Sequence, residues 1–215
     1  MSIVIKAPSG GGSISLDTQQ SVTGDHTLQL PTGVGSAGQY LRNSSTAGTL
    51  ELANGGKILQ VRQSVKADRS SITGGTFGDS GLSVNITPSS TSSNILVMVH
   101  AHLGSSNAYE MSLKLQRDNA DISGALGDAD GGRPAGTSMI NAYKNATQDI
   151  YTMIPTTIVY LDTAVSTTSQ VTYKLQMKTY STYTVYLNRS SGFQNNVAGY
   201  DTTPISTITA MEIEG

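Results

Sequence analysis

The feature that most constrains this chain is a period-two alternation of apolar and polar residues through most of its length, with no helical periodicity to compete with it. Leu82, Val84 and Ile86 alternate with Ser83, Asn85 and Thr87 until Pro88 closes the run. Tyr109, Met111, Leu113 and Leu115 alternate in the same way with Glu110, Ser112, Lys114 and Gln116. Residues two apart share one face of an extended strand, so each run predicts a strand half in a core and half in water. Residues 94–103 are apolar on both faces near their start and read as a central strand. No stretch of twelve residues carries apolar residues at i, i+3, i+4 and i+7 without an intervening Gly or Pro, which leaves almost no room for helix.

Further strands are expected over 57–63, 151–162, 170–179, 182–187 and 205–213, for about eight in all, separated by Gly, Asp, Asn and Ser clusters. The simplest topology joins 94–103 to 109–117 as a hairpin. Residues 124–143 hold five glycines and few large apolar side chains. They read as one long loop, a feature that is usually functional or mobile in a compact domain. Residues 57–215 are therefore expected to form an all-β, jelly-roll-like sandwich.

Residues 1–56 have a different character. Their only charges are Lys6, Arg42, Asp17, Asp25 and Glu51, and their apolar residues come in short pairs: Ile14/Leu16, Leu28/Leu30 and Leu50/Leu52. Strands of three to five residues with such long spacings bury too little surface to be stable alone in one chain. Two readings follow. Either three copies wind together and bury those pairs, or the region is a flexible tether, as tracts like Ser9-Gly10-Gly11-Gly12-Ser13 can be.

Composition removes several classes of partner. The net charge is −2 and the pI about 5.8, so there is no basic footprint for nucleic acid or an anionic membrane. The chain has no cysteine, hence no disulfide, thiolate metal site or thiol nucleophile. The opening residues are interrupted by Lys6 and Pro8, short of the about 7–15 apolar residues of a secretory leader. The longest apolar run, 95–99, falls far below the about 20 residues a membrane helix needs. Neither secretion nor membrane insertion is expected. Asn-x-Ser/Thr sequons at Asn43, Asn85, Asn145 and Asn188 then read as turn chemistry.

Three motifs have to be weighed as chemistry. Gly78-Asp79-Ser80-Gly81 is similar to nucleophile motifs of lipolytic and trypsin-like hydrolases, but such a serine needs a histidine base oriented by a carboxylate. The last histidine, His102, lies mid-chain, and the only upstream one, His26, sits in the core-poor N-terminal region. Ser80 is therefore read as part of a turn, and no catalytic residue or cofactor is assigned. Asp118, Asp121, Asp128 and Asp130 gather around one loop, yet a calcium loop starting at Asp128 would have Met139 where its closing Glu belongs. His100 and His102, at i and i+2 on a strand, emerge on one face. In a trimer with that face on its axis they could form rings that bind a transition metal; alternatively they are a hydrogen-bonded polar pair at an interface or on an open face.

Several segments resemble tailed-bacteriophage fibre and other virion proteins. In the N-terminal region these are Ile14-Ser15-Leu16-Asp17-Thr18, then Val22 through Pro31, then Gly38-Gln39-Tyr40-Leu41 and Gly48-Thr49-Leu50. In the rest of the chain they are Lys57 to Val61, Leu82 to Val97, Thr184 to Ser190 and Ser206 to Ile213. The likeness covers nearly the whole chain through degenerate strand-and-turn patterns. It implies a homotrimer on the surface of a phage particle. Residues 1–56 would attach to other virion proteins, and a β-sandwich head, similar in outline to complement-type or tumour-necrosis-factor-type domains, would project.

Ile14, Leu16, Leu28, Leu30, Leu50 and Leu52 are the candidates for attachment and trimerisation. For contact with a host receptor such as a surface glycan the candidates are Asp128, Asp130, Arg133, Tyr143, Tyr180 and Tyr183. The expected roles are a tail fibre or appendage with a receptor-contacting head, or a trimeric capsid decoration protein that stabilises the shell; a depolymerase or esterase is a third, weaker possibility.

Overall fold

The computed structural model describes residues 3–6, 13–16, 29–33, 35–36, 39–46, 49–54, 58–106, 110–141, 151–193 and 202–215, with 3–6 and 13–16 as backbone only. Backbone contacts divide the chain into two units, Met1–Gly55 and Gly56–Gly215. In the first unit, β1 (Ile3–Lys6) pairs antiparallel with β2 (Ser13–Leu16), and β3 (Gln39–Asn43) with β4 (Leu50–Asn54).

The second unit is all-β with antiparallel sheets. Its strands are β5 (Ile58–Lys66), β6 (Ser70–Thr73), β7 (Gly78–Ile86), β8 (Asn94–Ser105), β9 (Met111–Arg117), β10 (Ala120–Asp121), β11 (Ser138–Ile140), β12 (Ile154–Asp162), β13 (Val171–Lys178), β14 (Thr184–Leu187) and β15 (Ser206–Ile213). One sheet runs β7-β13-β9, with β10 and β11 sharing the free side of β9. The other runs β12-β8-β15-β5, with β14 and β6 continuing beyond the end of β15. Leu82, Val84 and Ile86 of β7 and Leu113, Leu115, Tyr173 and Leu175 of β9 and β13 meet Val97, Val99, Val185 and Ile208 of the other sheet in one buried cluster. Two sheets covering a common core is the arrangement of a β-sandwich.

Two expectations about topology need correction. β8 and β9 are not a hairpin: they lie in different sheets, β8 between β12 and β15, β9 between β13 and the short β10 and β11. Each strand carries a full apolar face, and crossing from sheet to sheet points both faces into the same core. Alternation marks the buried face of a strand but not its neighbour. Nor is 124–143 one long loop. Ser123–Ala125 forms a 3-10 turn and β11 pairs with β9 at Ile140↔Met111, so a strand of only three residues hides inside a Gly-rich tract.

Two buried polar clusters tie this unit together. Asp162 Oδ2, at the end of β12, accepts hydrogen bonds from Arg117 at 2.5 Å and from the Tyr173 hydroxyl at 2.8 Å, which joins one sheet to the other. Burial and that hydrogen bond push the Tyr173 hydroxyl far up. Burial opposes the Arg117 charge, but Asp162 more than offsets it and the guanidinium is held above its usual value. Asn188, fully buried in the left-handed region at φ 60°, donates to the carbonyls of Lys66 and Asp68 at 2.7 and 2.9 Å and accepts from Ser206 at 2.6 Å. Its amide is thus fully engaged inside the fold.

Candidate functional site

Gly78-Asp79-Ser80-Gly81 is a β-bulge. The register between β7 and β13 slips here, with Asp79 opposite Gln176 and Ser83 opposite Lys174. Gly81 has φ 77°, the left-handed backbone that such bulges place on glycine. Ser80 is completely buried. Its hydroxyl donates to the Leu175 carbonyl at 2.6 Å and accepts from the Leu82 amide at 3.2 Å, which satisfies groups the slipped ladder leaves over. Asp79 is drawn outward to Lys174 and Gln176, and the Lys174 hydrogen bond holds its carboxyl below the usual range. The geometry supplies a backbone staple where the sequence resembles a nucleophile.

Asp130 and Arg133 close a tight turn: the Arg133 amide donates to the Asp130 carbonyl at 2.9 Å, the Asp130 amide returns a bond at 3.2 Å, and Gly131 sits between them at φ 57°. The side chains lie 3.6 Å apart and are almost fully exposed, so the pair adds little stability. Asp128 is also exposed.

Next to this turn opens a groove of about 420 Å3, lined by Glu110 and Ser112 at the start of β9, Gly132, Arg133 and Pro134, Met139 of β11, and Lys178 and Tyr180 at the end of β13. The structure thus brings Arg133 and Tyr180 into one concavity and leaves Asp128, Asp130 and Tyr183 off its lining. Tyr180 is 58% exposed, whereas Tyr183 is half-buried across the tight turn that its amide closes on the Tyr180 carbonyl. Tyr143 lies outside the described residues. Lys178 rests its ammonium 5.5 Å from the centre of the Phe77 ring, beside Lys114 at 4.5 Å. An exposed ring, apolar Met139 and Pro134, two cations and one carboxylate on the rim can stack on a sugar or peptide and hydrogen-bond its polar groups. Lys178, Met139 and Glu110 were missed by sequence reasoning, because only the β9–β11 pairing brings 110, 133 and 139 together.

The opposite sheet presents a surface of another kind. Register aligns its outward side chains in three cross-strand rows: Leu161-Leu96-Met211-Val61, Val159-Met98-Thr209-Gln63 and Thr157-His100-Thr207-Val65, reading from β12 to β5. None of these twelve residues is charged. Val61, Val65, Val159 and Leu161 are 44–62% exposed, although alternation predicted β5 to be half-buried. Four strands about 4.8 Å apart and rows about 6.8 Å apart make a face of roughly 400 Å2. Seven of the twelve residues are apolar and five, Gln63, His100, Thr157, Thr207 and Thr209, are polar, so the face is uncharged rather than uniformly apolar.

His100 and His102 sit at the edge of this face, with ring centres 4.8 Å apart and planes perpendicular. Among the described residues, no three His, Asp or Glu side chains gather as a metal-binding group.

In the first unit, Leu30, Leu50 and Leu52 line a shallow groove of about 420 Å3 with Pro31 and Thr49, held by the parallel bridge between Gln29 and Thr49. Leu30 is 68% exposed within one chain, and Leu50 and Leu52 are half-buried. Ile14 and Leu16 lie in β2 opposite Ile5 and Ile3, and Leu28 lies outside the described residues. Compared with known proteins, the chain matches no protein-family model and no curated protein.

Proposed function

We propose that this chain is a structural protein of a phage virion: a homotrimeric tail fibre or appendage whose head contacts a host receptor. The observation that carries the reading is the uncharged outward face of β12-β8-β15-β5. A standard interface buries about 800 Å2 per partner. In a closed three-fold ring each subunit has two neighbours, so this face of roughly 400 Å2 would supply only part of the contact, with the β5 and β12 edges that the ring covers supplying more. The strand orders β12-β8-β15-β5 and β7-β13-β9-β11 support a jelly-roll topology, in which the chain passes repeatedly from one sheet to the other. The resemblance of the N-terminal segments supplies the virion context, with residues 1–56 as the attachment and trimerising segment.

The groove around Tyr180 and Arg133 is the receptor-contacting part under this reading, with a surface glycan as the fitting ligand class. Its rim combines an aromatic ring with cations and a carboxylate, the means by which proteins hold acidic and neutral sugars.

Sedimentation tests the assembly. The full chain is expected to run at three times its 22.5 kDa, and Leu161→Asp with Val159→Asp to reduce it to monomer with the head still folded. A wild-type monomer would refute the reading.

A second reading, a capsid decoration protein that clamps neighbouring shell subunits, is favoured by the first unit, whose described strands are two short hairpins and no repeated shaft. Imaging of the intact particle separates the two: many copies over the shell mean decoration, and a few copies at the tail mean a fibre.

A further inference from the structure

We propose that His100 and His102 of one chain form a two-imidazole chelate for a divalent transition-metal ion of the zinc type. The site needs neither the trimer nor the virion reading. It rests first on the strand: residues i and i+2 of β8 put both rings on the outward face, beside Thr157 and Thr207 and away from any charged residue in the three aligned rows.

Ring separation is the second observation. An ion bound about 2.1 Å from one nitrogen of each ring lies about 3.2 Å from each ring centre. Centres are then about 4.5–5.2 Å apart for nitrogen–ion–nitrogen angles of about 90–109°. The rings stand 4.8 Å apart.

Hydrogen bonding is the third. His102 Nδ1 is 2.9 Å from the Ile205 carbonyl oxygen, which can only accept, so Nδ1 carries the proton and neutral His102 presents the lone pair of Nε2. His100 Nδ1 lies 3.2 Å from the Thr157 hydroxyl, which can accept from it, and in that tautomer Nε2 is the ligand atom. An oxygen partner on the far nitrogen is the usual support of a metal-binding imidazole, fixing its tautomer and orientation. Imidazole pairs select zinc, nickel or copper over calcium or magnesium, which require oxygen ligands. Water completes the coordination.

The test uses the full-length protein with 15N-labelled histidine, titrated with Zn2+ alone and followed through its three imidazoles, His26, His100 and His102. Saturable binding of one ion per chain is expected, with Nε2 of His100 and His102 shifting in step and His26 unchanged. His100→Gln and His102→Gln should each remove saturable binding. Thr157→Val should weaken it about tenfold. Circular dichroism and urea midpoints of the variants establish that the fold is retained. A response from only one ring, wild-type affinity in either Gln variant, or an equal response to Ca2+ overturns the assignment. Sedimentation of the same sample reads the trimer separately, so a monomer that chelates zinc refutes the assembly alone, and a trimer whose rings ignore zinc refutes the site alone.

Discussion

Glu212 of β15 is fully buried and, among the described residues, has no ion-pair partner; the donors that hold its carboxylate are neutral. Oε1 accepts from the Ser89 amide and hydroxyl, both at 2.6 Å, and from the Ser93 hydroxyl at 2.7 Å, while Oε2 accepts from Gln60 at 2.6 Å. Burial raises the carboxyl's pKa, but these hydrogen bonds outweigh it and bring the value from 4.5 down to about 2. At about 1.4 kcal/mol per pH unit, a depression of that size corresponds to about 3 kcal/mol of folding stability at neutral pH. The folded value is the lower one, so the unfolded chain takes up the proton first. The contribution is complete above about pH 4.5 and is lost as pH falls toward about 2.

Glu212→Gln turns one acceptor into a donor that faces the Gln60 amide and removes the charge. With a urea slope near 2 kcal/mol/M for a domain of this size, the midpoint at pH 7 should fall by roughly 1.5 M. The two proteins should converge as the wild type is acidified through that window. Both are compared at one protein concentration, because assembly makes apparent stability concentration-dependent. A loss below about 1 kcal/mol at pH 7, or a gap of unchanged size at low pH, would refute the account of this carboxylate.

Three further outcomes follow from buried polar groups and backbone. Asn188→Asp replaces the two donors facing the Lys66 and Asp68 carbonyls by acceptors and should cost about 3 kcal/mol in chemical denaturation, with Ser206→Ala milder. Gly81→Ala forces a side chain into the left-handed region at φ 77° with Lys66 Nζ 3.0 Å from the new methyl, for a loss of about 1–2 kcal/mol by thermal melting. Asp162→Ala strips the partner from a half-buried Arg117 and the buried Tyr173 hydroxyl and should lower stability by about 3–5 kcal/mol, whereas Tyr173→Phe, which leaves the ion pair in place, should cost about 1–2 kcal/mol.

What was legible in the sequence is what depends on neighbours along the chain. Alternation located β13 and β15 to within about a residue, whereas β7 begins at Gly78, four residues before the alternating run at Leu82, because the bulge at Asp79–Gly81 breaks the period. The change of composition placed a boundary at 56/57 where backbone contacts place one at 55/56. Pairing across the chain was not legible. Nothing local says that Met111–Arg117 would cross to the other sheet, or that Ser138–Ile140, three residues in a Gly-rich tract, would dock on β9 and build the groove wall. The role of Glu212 depends on Ser89 and Ser93, more than a hundred positions away, and no local pattern marks it. The histidine pair was visible from its spacing, but the oxygen partners on both Nδ1 atoms come from Thr157 and Ile205, which only the pairing of β12 and the approach to β15 bring near.

The division of labour between the sheets bears on how the proposed trimer would work. Its contact face belongs to β12-β8-β15-β5, whereas the groove belongs to the ends of β9, β11 and β13 in the opposite sheet. Copies meeting on the first sheet would leave the second turned outward, so the proposed assembly and receptor contact would not compete for surface. Each trimer would then present three grooves at fixed separations. A groove rimmed by Tyr180 and two cations would, under the proposed reading, bind a sugar weakly on its own, but linked sites convert the second contact into an intramolecular event and raise overall affinity by about 100-fold or more where the geometry spans both. Binding of whole cells by the proposed trimer should therefore fall much more steeply than binding of a soluble monovalent sugar when Leu161→Asp and Val159→Asp break the assembly. Equal losses in both would place the sheet face in the binding site itself and remove the separation argued here.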